Sequence, residues 1–232
     1  MEIKILQEKE NSIKVLMKDT NIVFVNSIRR QIMSGVPVIA IEDVHFYENT
    51  GAMHDEMLAQ RLGMVPLKSD SKKCKAGDSV KLVLEKDGPC TVYSSDIKST
   101  DPNIEPVDLN IPITKLGTGE KLKLEMDAIV GTGEQHSKWQ PAVVSYQEMP
   151  VIMSEKGAKD KSYKADMIEI LLDEKHRDIQ LKEGQHIEYD DTTFIFTIES
   201  HGNMSPRELF EAAIDGLMEK AKEFRGELKN LS

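Results

Sequence analysis

Cysteine is scarce in this sequence, with Cys74 and Cys90 alone among 232 residues. The two do not form a Cys-x-x-Cys pair, so the usual ligand spacing of zinc and iron–sulfur sites is absent. We therefore expect no metal and no other cofactor. The two cysteines flank a predicted strand and could meet across a hairpin, but a reducing compartment disfavours a disulfide between them.

Long hydrophobic runs are also missing. No stretch approaches the roughly 20 apolar residues of a membrane span. Residues 1–4 lack the apolar core of a signal peptide. These absences predict a cytoplasmic protein with no membrane partner.

Basic residues are fewer than acidic ones: 30 Lys and Arg stand against 40 Asp and Glu, for a formal net charge of −10. Binding to a nucleic-acid backbone requires a basic surface. The charge balance therefore disfavours a stand-alone DNA-binding factor. A steep salt dependence of DNA binding would support that alternative.

Motifs of enzyme active sites are not apparent either. The histidines show no His-Glu-x-x-His spacing, and the glycine-containing run at 131–133 is too short for a phosphate loop. His136 and Glu134 lie together near that run, but a metal site needs three or four convergent ligands. An independent enzyme is accordingly the disfavoured alternative.

The apolar residues that are present indicate antiparallel strands. Residues 3–5 and 13–17 alternate as in a hairpin, and Val92 is placed on a strand that returns from a turn at 87–89. Further strands are predicted at 38–46, 80–84, 122–126 and 194–198. Residues 150–184 are rich in charge, hold one short helix near 167–172, and suggest a small excursion from the main body.

Three helices carry boundary signals. One of residues 19–21 is expected to cap a helix that ends at Gly35, and Asp55 is expected to cap a short helix. Ser205 and Glu208 form a capping box ahead of a long terminal helix. Its wide apolar stripe needs either its own core or another protein as a cover. The stripe consists of Leu209, Ala213, Leu217, Ala221, Phe224 and Leu228. These elements together predict an α+β fold.

Four stretches carry a family resemblance. They are residues 24–30 with 36–37 and 40–42; 49–50 and 55–56 with 59–67; 131–133 with His136 and 138–142; and, more weakly, 196–202 before the Pro206 helix. In this order the chain resembles the RNA polymerase family that comprises the archaeal D-type subunit, bacterial alpha and the third-largest subunit of eukaryotic polymerase II. Its length and gapless pattern favour the archaeal branch, with a eukaryotic counterpart as the alternative.

The resemblance implies a discontinuous dimerisation domain with an antiparallel sheet and two helices, formed by residues 1–43 and 187–232. Residues 44–149 would form an inserted, mainly-β domain. Residues 150–186 would be a reduced third domain that lacks the cysteines by which many archaeal relatives hold iron–sulfur clusters.

The resemblance also implies a role and partners. The chain would be a non-catalytic assembly platform of DNA-directed RNA polymerase that pairs with subunit L and recruits the second-largest and largest subunits. Small subunits N and P would dock on the same platform, and DNA would be reached only through the complex. The metal-dependent transfer of nucleotides would belong to the largest subunit.

The partner contacts implied by the resemblance fall into four groups. They are Asn26, Arg29, Arg30 and Ile32; Asp55, Glu56 and Arg61; His136, Lys138 and Trp139; and Leu209, Ala213, Leu217 and Phe224. Considered without the resemblance, the same groups fit a solvated helix face, a capped helix with a surface ion pair, a loop pinned by its Trp, and plain core.

Overall fold

The computed structural model describes residues 1–69, 77–154 and 185–230. This part of the chain forms three α-helices and ten β-strands. The helices are α1 (Ile22–Gly35), α2 (Asp55–Gly63) and α3 (Pro206–Asn230). The strands are β1 (Glu2–Lys9), β2 (Ser12–Lys18), β3 (Val38–Asn49), β4 (Ser79–Asp87), β5 (Cys90–Tyr93), β6 (Lys98–Ser99), β7 (Pro112–Leu116), β8 (Lys121–Gly131), β9 (Ala142–Ser154) and β10 (Gln185–Ser200).

The strands pair in antiparallel sheets, which confirms the predicted α+β class. One four-stranded sheet has the order β1-β2-β10-β9, and another has the order β3-β8-β4-β6. β5 and β7 form a two-stranded sheet of their own. The predicted hairpin at the start of the chain is β1 and β2.

The contacts divide the chain into two compact units. The first comprises the described residues of Met1–Arg29 and Val144–Glu199, and the second those of Arg30–Val143 and Ser200–Ser232. Both units are therefore discontinuous in sequence.

The sheet of the first unit has an apolar face that is buried on its inner strands and exposed on the edge strand β1. Ile3, Met17 and Phe194 lie side by side on three adjacent strands, and Ile5 shares the face of Ile3. Met17 and Phe194 are fully buried, whereas Ile3 and Ile5 are 50% and 41% exposed. The edge strand thus presents an exposed apolar ledge.

α1 begins and ends as predicted. The Phe24 N–H donates to Asn21 Oδ1 at 2.9 Å, so Asn21 is the cap among the three candidates. After Gly35 the chain turns into β3. The glycine-containing loop at 131–133 packs against the last turn of α1. A Cβ on Gly133 would overlap the Met33 carbonyl. Glycine is therefore required at position 133.

The core of the second unit lies between α2 and the sheet β3-β8-β4. Its buried side chains include Ile41 of β3, Leu58 and Leu62 of α2, and Leu82 and Leu84 of β4. Alternate residues of β4 are exposed, as expected for a strand with one face in the core. The buried residues of this core all come from positions 39–128.

One strand pairing was wrong in the sequence prediction. The strand of Val92 was expected to return along β4 after the turn at 87–89, but β5 pairs with β7. Both edges of β4 are already occupied, by β8 and β6. The Gly88 N–H donates to the Glu120 carbonyl at 2.8 Å, which directs the chain toward β7 instead.

The cap predicted for α2 was also wrong. The helix begins at Asp55 and its N-cap is His54, whose side chain makes no capping bond. Asp55 Oδ1 accepts a hydrogen bond from Asn49 Nδ2 at 2.7 Å. A carboxylate in the first turn still favours the helix through the macrodipole.

The beginning of α3 is anchored to the second unit. The Ser205 and Glu208 side chains bond each other's backbone N–H groups at 3.3 and 2.9 Å, which confirms the predicted capping box. Just before it, buried Asn203 donates from Nδ2 to the Leu67 carbonyl at 2.8 Å. The Ser69 N–H donates to the Asn203 carbonyl, also at 2.8 Å.

Some predictions lie outside the described residues. These are the helix near 167–172 and the position of Cys74. Of the predicted excursion, residues 150–154 continue β9 and residues 185–186 begin β10.

Candidate partner-binding surfaces

The apolar stripe of α3 divides into two parts. Leu209 and Ala213 are fully buried, so they belong to the core and their side chains are closed to a partner. Leu217 is half-buried. From Met218 to Asn230 every residue is exposed, including Phe224 at 67%. We call residues 218–230 the distal arm.

The distal arm is amphipathic, and its apolar side chains are exposed. Met218, Phe224 and Leu228 are 53%, 67% and 51% exposed. With Ala221 they follow the three- and four-residue spacing of one helix face. Most of the remaining positions are Lys, Arg or Glu. A large apolar face on an isolated helix is characteristic of a segment that another protein covers.

The N-terminal helix carries the first group of predicted contacts. Arg29 Nε donates to Asn26 Oδ1 at 3.0 Å, so these two side chains lie together on the helix. Arg30 is exposed, whereas Ile32 is fully buried and serves as core. The exposed turn at Ile22, Val23 and Phe24 adds apolar surface that the sequence prediction had not assigned to a partner.

Arg61 of the second group has an internal role. Its Nε donates to the Ile113 carbonyl at 2.9 Å and a terminal nitrogen donates to the Pro112 carbonyl at 2.6 Å. The guanidinium therefore holds α2 against β7. Asp55 and Glu56 remain exposed on the first turn of α2.

A groove follows the contact between α2 and β7. One cavity of about 590 Å³ is lined by residues that include Met53, Met57 and Ile113. A second cavity, of about 290 Å³, lies on the other side of Arg61 and includes Met64. Met57 and Met64 are 55% and 52% exposed. Flexible, polarisable Met side chains suit a surface that adapts to a partner.

The third group lies in the loop between β8 and β9, and its Trp pins that loop. Trp139 is 5% exposed and its Nε1 donates to the Ile129 carbonyl at 3.2 Å. Lys138 Nζ lies 4.5 Å from the Trp139 ring centroid, donates to the Ile41 carbonyl at 2.9 Å, and pairs with Glu42. Both side chains are engaged within the unit.

His136 is exposed at the outer side of the same loop. Its Nδ1 accepts a hydrogen bond from the Lys138 N–H at 3.1 Å, and its ring meets Trp139 edge-on. Gly63, at the end of α2, lies close to Lys138, because a Cβ there would be 3.9 Å from its Cδ. The fold thus brings the second and third predicted groups onto neighbouring parts of one unit.

The charges on the exposed side of β3, β8 and β4 largely compensate each other. Hydrogen bonding to Glu125 raises the pKa of Lys81, and the same contact lowers the pKa of Glu125. Tyr47 Oη donates to Glu125 at 3.3 Å, and His45 lies 3.3 Å from Asp127. This mixed surface lacks the basic character that nucleic-acid backbones require.

A second ion pair links β4 to the turn after β5. Lys86 Nζ lies 2.7 Å from Asp96 Oδ1, and Asp96 Oδ2 accepts the Tyr93 N–H at 2.9 Å. Burial opposes ionisation of Asp96, but Lys86 and the Tyr93 N–H outweigh it and lower the pKa of this carboxyl. The pair therefore holds β4 to the turn after β5.

Sequence reasoning missed three features of these surfaces: the exposed ledge of Ile3 and Ile5, the anchor Asn203, and buried Gln31 on α1. A polar residue within an apolar helix face was the available signal for Gln31. Nothing in the local pattern of Asn203 distinguishes it from an ordinary loop residue.

No helix within residues 1–69, 77–154 and 185–230 is long and apolar enough to cross a membrane. Within those same ranges, His, Cys, Asp and Glu form no group of three or more that could hold a metal ion.

Comparison with known families identifies one domain. Residues 41–151 match the family model described as the RNA polymerase Rpb3/RpoA insert domain. The match covers most strands of the second unit with α2, the groove and the pinned loop, and it extends into β9 of the first unit.

Comparison with curated proteins extends over the whole chain. The chain is 34% identical to DNA-directed RNA polymerase subunit Rpo3 of Pyrococcus furiosus, covering 100% of this chain and 98% of the relative. It is 34% identical to the protein of the same name from Methanobrevibacter smithii over 97% of each. With that of Methanocaldococcus jannaschii the identity is 49% over 126 residues, which cover 54% of this chain and 64% of the relative.

Proposed function

The chain belongs to the archaeal Rpo3 family of DNA-directed RNA polymerase subunits, and we propose that within the polymerase it is a non-catalytic assembly platform. It binds the smaller subunit L first, and the resulting pair recruits the second-largest and then the largest subunit. Small subunits N and P dock on the same platform. Contact with DNA is made through the assembled enzyme.

The distal arm of α3 is the observation that carries this proposal. An exposed helical segment of thirteen residues has marginal stability on its own, because intrinsic helix propensity stabilises short isolated helices only weakly. Complete burial of a side chain such as Phe224 stabilises by about 1.5–3 kcal/mol. A partner that covers Met218, Phe224 and Leu228 would both order the arm and remove this apolar surface from water.

The groove between α2 and β7 is the second proposed docking surface, for the large subunits. Met57 and Met64 supply exposed apolar contacts on either side of Arg61, whose position is fixed by two carbonyls. Asp55 and Glu56 supply exposed charge at one end. A polar margin around an apolar centre is the usual composition of a protein interface.

The domain arrangement forms part of the same proposal. Residues 44–149 make an inserted domain, in accord with the match over 41–151. Residues 1–43 and 187–232 make the dimerisation domain, although residues 30–43 and 200–232 cluster by contact with residues 44–143 in the second unit. The chain holds no cofactor and contributes no catalytic residue, so nucleotide transfer is assigned to another subunit.

Co-expression of this chain with subunit L of the same genome tests the first step. We expect one peak in size-exclusion chromatography, with a mass by light scattering equal to one copy of each chain. Two separate, well-behaved monomers would contradict the proposed role.

The arm is tested by a matched pair of substitutions. Phe224→Asp places a charge on the apolar face, where its burial in an interface is costly, and should abolish the one-to-one peak. Gly226→Asp makes the same change of charge about 200° around the helix, where nothing lies within 4 Å of the added Cβ. Equal effects of the two variants would show that the apolar face is not the contact.

A further inference from the structure

A carboxamide is held between two glycines where α1 and α3 approach each other. Gln31 of α1 is 6% exposed. A Cβ on Gly216 of α3 would lie 2.5 Å from Gln31 Nε2. A Cβ on Gly35, one turn further along α1, would overlap the same amide. One glycine from each helix thus provides the space that the amide occupies.

The amide is also bonded to α3. Lys220 Nζ donates to Gln31 Oε1 at 3.0 Å. Gly216 and Lys220 are four residues apart and therefore lie on the same side of α3. The contact combines close backbone approach at one position with a hydrogen bond one turn later, so it restricts both the distance and the axial position of α3 against α1.

This contact lies where the environment of α3 changes. Ala213 is fully buried, Gly216 and Leu217 are half-buried, and the distal arm begins at Met218. Since residues 218–230 are all exposed, the direction of the arm follows from the way α3 is held at this point.

A small change of crossing angle would be amplified along the arm. Glu227 is 11 residues beyond Gly216, or about 16 Å along a helix that rises 1.5 Å per residue. A tilt of about 15°, within the usual spread of helix crossing angles, would displace it by about 4 Å. A displacement of that size separates contacting side chains in an interface.

We infer that Gln31, Gly35 and Gly216 form a positioning device that sets the direction of the distal arm and so determines how well subunit L fits it. This inference rests on the proposed function, because it assigns the arm to subunit L. Buried polar contacts that fix helix register are the best-attested use of such groups.

Gly216→Ala and Gly226→Ala form a matched pair in the same helix. Both remove a flexible glycine. At position 226 the added methyl meets open space, whereas at position 216 it meets the end of the Gln31 side chain, which is 6% exposed and bonded to Lys220, so either the amide or α3 must shift. With purified subunit L as the probe in calorimetric titration of the full chain, we expect Gly216→Ala to weaken binding about tenfold. We expect Gly226→Ala to leave affinity unchanged or slightly improved, since Ala favours helix.

Gln31 supplies the readouts that a purely structural role would not move. In a Gln31→Ala background, Gly216→Ala should have little further effect, because the two changes act on one contact. Gln31→Glu keeps an oxygen acceptor for Lys220 and should bind subunit L about as tightly as the wild type. Gln31→Leu has no acceptor and should bind subunit L more weakly. The inference would be overturned if the losses of binding free energy from Gln31→Ala and Gly216→Ala added up in the double variant. Equal affinities of Gln31→Glu and Gln31→Leu for subunit L would also overturn it.

A distance measurement on the free chain separates the two proposals. Spin labels on Thr118→Cys and Glu227→Cys, with Cys74 and Cys90 changed to Ser, report the direction of the arm without any partner. We expect Gly216→Ala to shift the distance distribution by about 4 Å and Gly226→Ala to leave it in place. An unshifted distribution overturns the positioning role, even if subunit L binds. A shifted distribution with no binding of subunit L upholds the device and contradicts the proposed function.

Discussion

The two parts of α3 have the same sequence pattern and opposite environments. Leu209 and Ala213 are fully buried, whereas Phe224 and Leu228, further along the same stripe, are more than half exposed. Charged residues flank both parts. Periodicity therefore specifies that a helix forms and which face is apolar, but the cover of that face is decided by tertiary contacts.

The difference follows from where anchors exist. Before α3, Asn203 holds the chain to the second unit through hydrogen bonds with Leu67 and Ser69. Along α3, Gln31 and Lys220 form the last hydrogen bond described between α1 and this helix. Beyond it Phe224 and Leu228 are exposed on one helix face, which is the surface that the proposed pairing with subunit L would cover.

The largest expected effect comes from one substitution made in both parts of the helix. Leu209→Ala should lower the free energy of unfolding by about 2–5 kcal/mol, because it leaves a cavity in the core. Leu228→Ala should change it by no more than about 0.5 kcal/mol in the isolated chain. Urea unfolding followed by circular dichroism measures both. Similar losses for the two variants would break the distinction between core and arm.

A smaller effect is expected from the anchor at the beginning of the helix. Asn203→Ala removes the donor to the buried Leu67 carbonyl and should destabilise by about 1–3 kcal/mol. Asn110→Ala, at an exposed position, serves as the control and should be nearly neutral. If both variants unfold like the wild type, the loop at Asn203 is not an anchor.

Lowering the pH should reduce the stability of the second unit by a small amount. The lowered pKa of Asp96 means that its contribution to stability is present above its unfolded-state pKa and is lost as pH falls through the folded-state value. Asp96→Asn should therefore be less stable than wild type near pH 7, and the difference should vanish in strong acid. Urea unfolding at several pH values measures it, with exposed Asp87→Asn as the control. A difference that persists in acid would contradict this assignment.

The sequence predicted helix boundaries correctly where they depend on contacts between residues close together in the chain. The Asn21 cap, the capping box at Ser205 and the end of α1 at Gly35 all involve residues within a few positions of each other. Such contacts depend on backbone geometry that neighbouring residues determine. The family resemblance was likewise readable, because its motifs are continuous stretches.

Non-local arrangements could not be read in this way. The pairing of β5 with β7 depends on β6 and β8 having taken both edges of β4. The internal roles of Arg61 and Lys138 depend on carbonyls 52 and 97 positions distant in sequence. Arg61 and Lys138, which the sequence analysis assigned to partner contact, therefore also stabilise contacts within the second unit.

Hydrogen–deuterium exchange along α3, with and without subunit L, tests the central claim most directly. In the free chain we expect slow exchange over residues 209–217 and fast exchange over 218–230, since exposed helix opens easily. Addition of subunit L should protect 218–230 and leave 209–217 unchanged. Strong protection of the arm in the free chain, or no gain of protection when subunit L is present, would contradict the account.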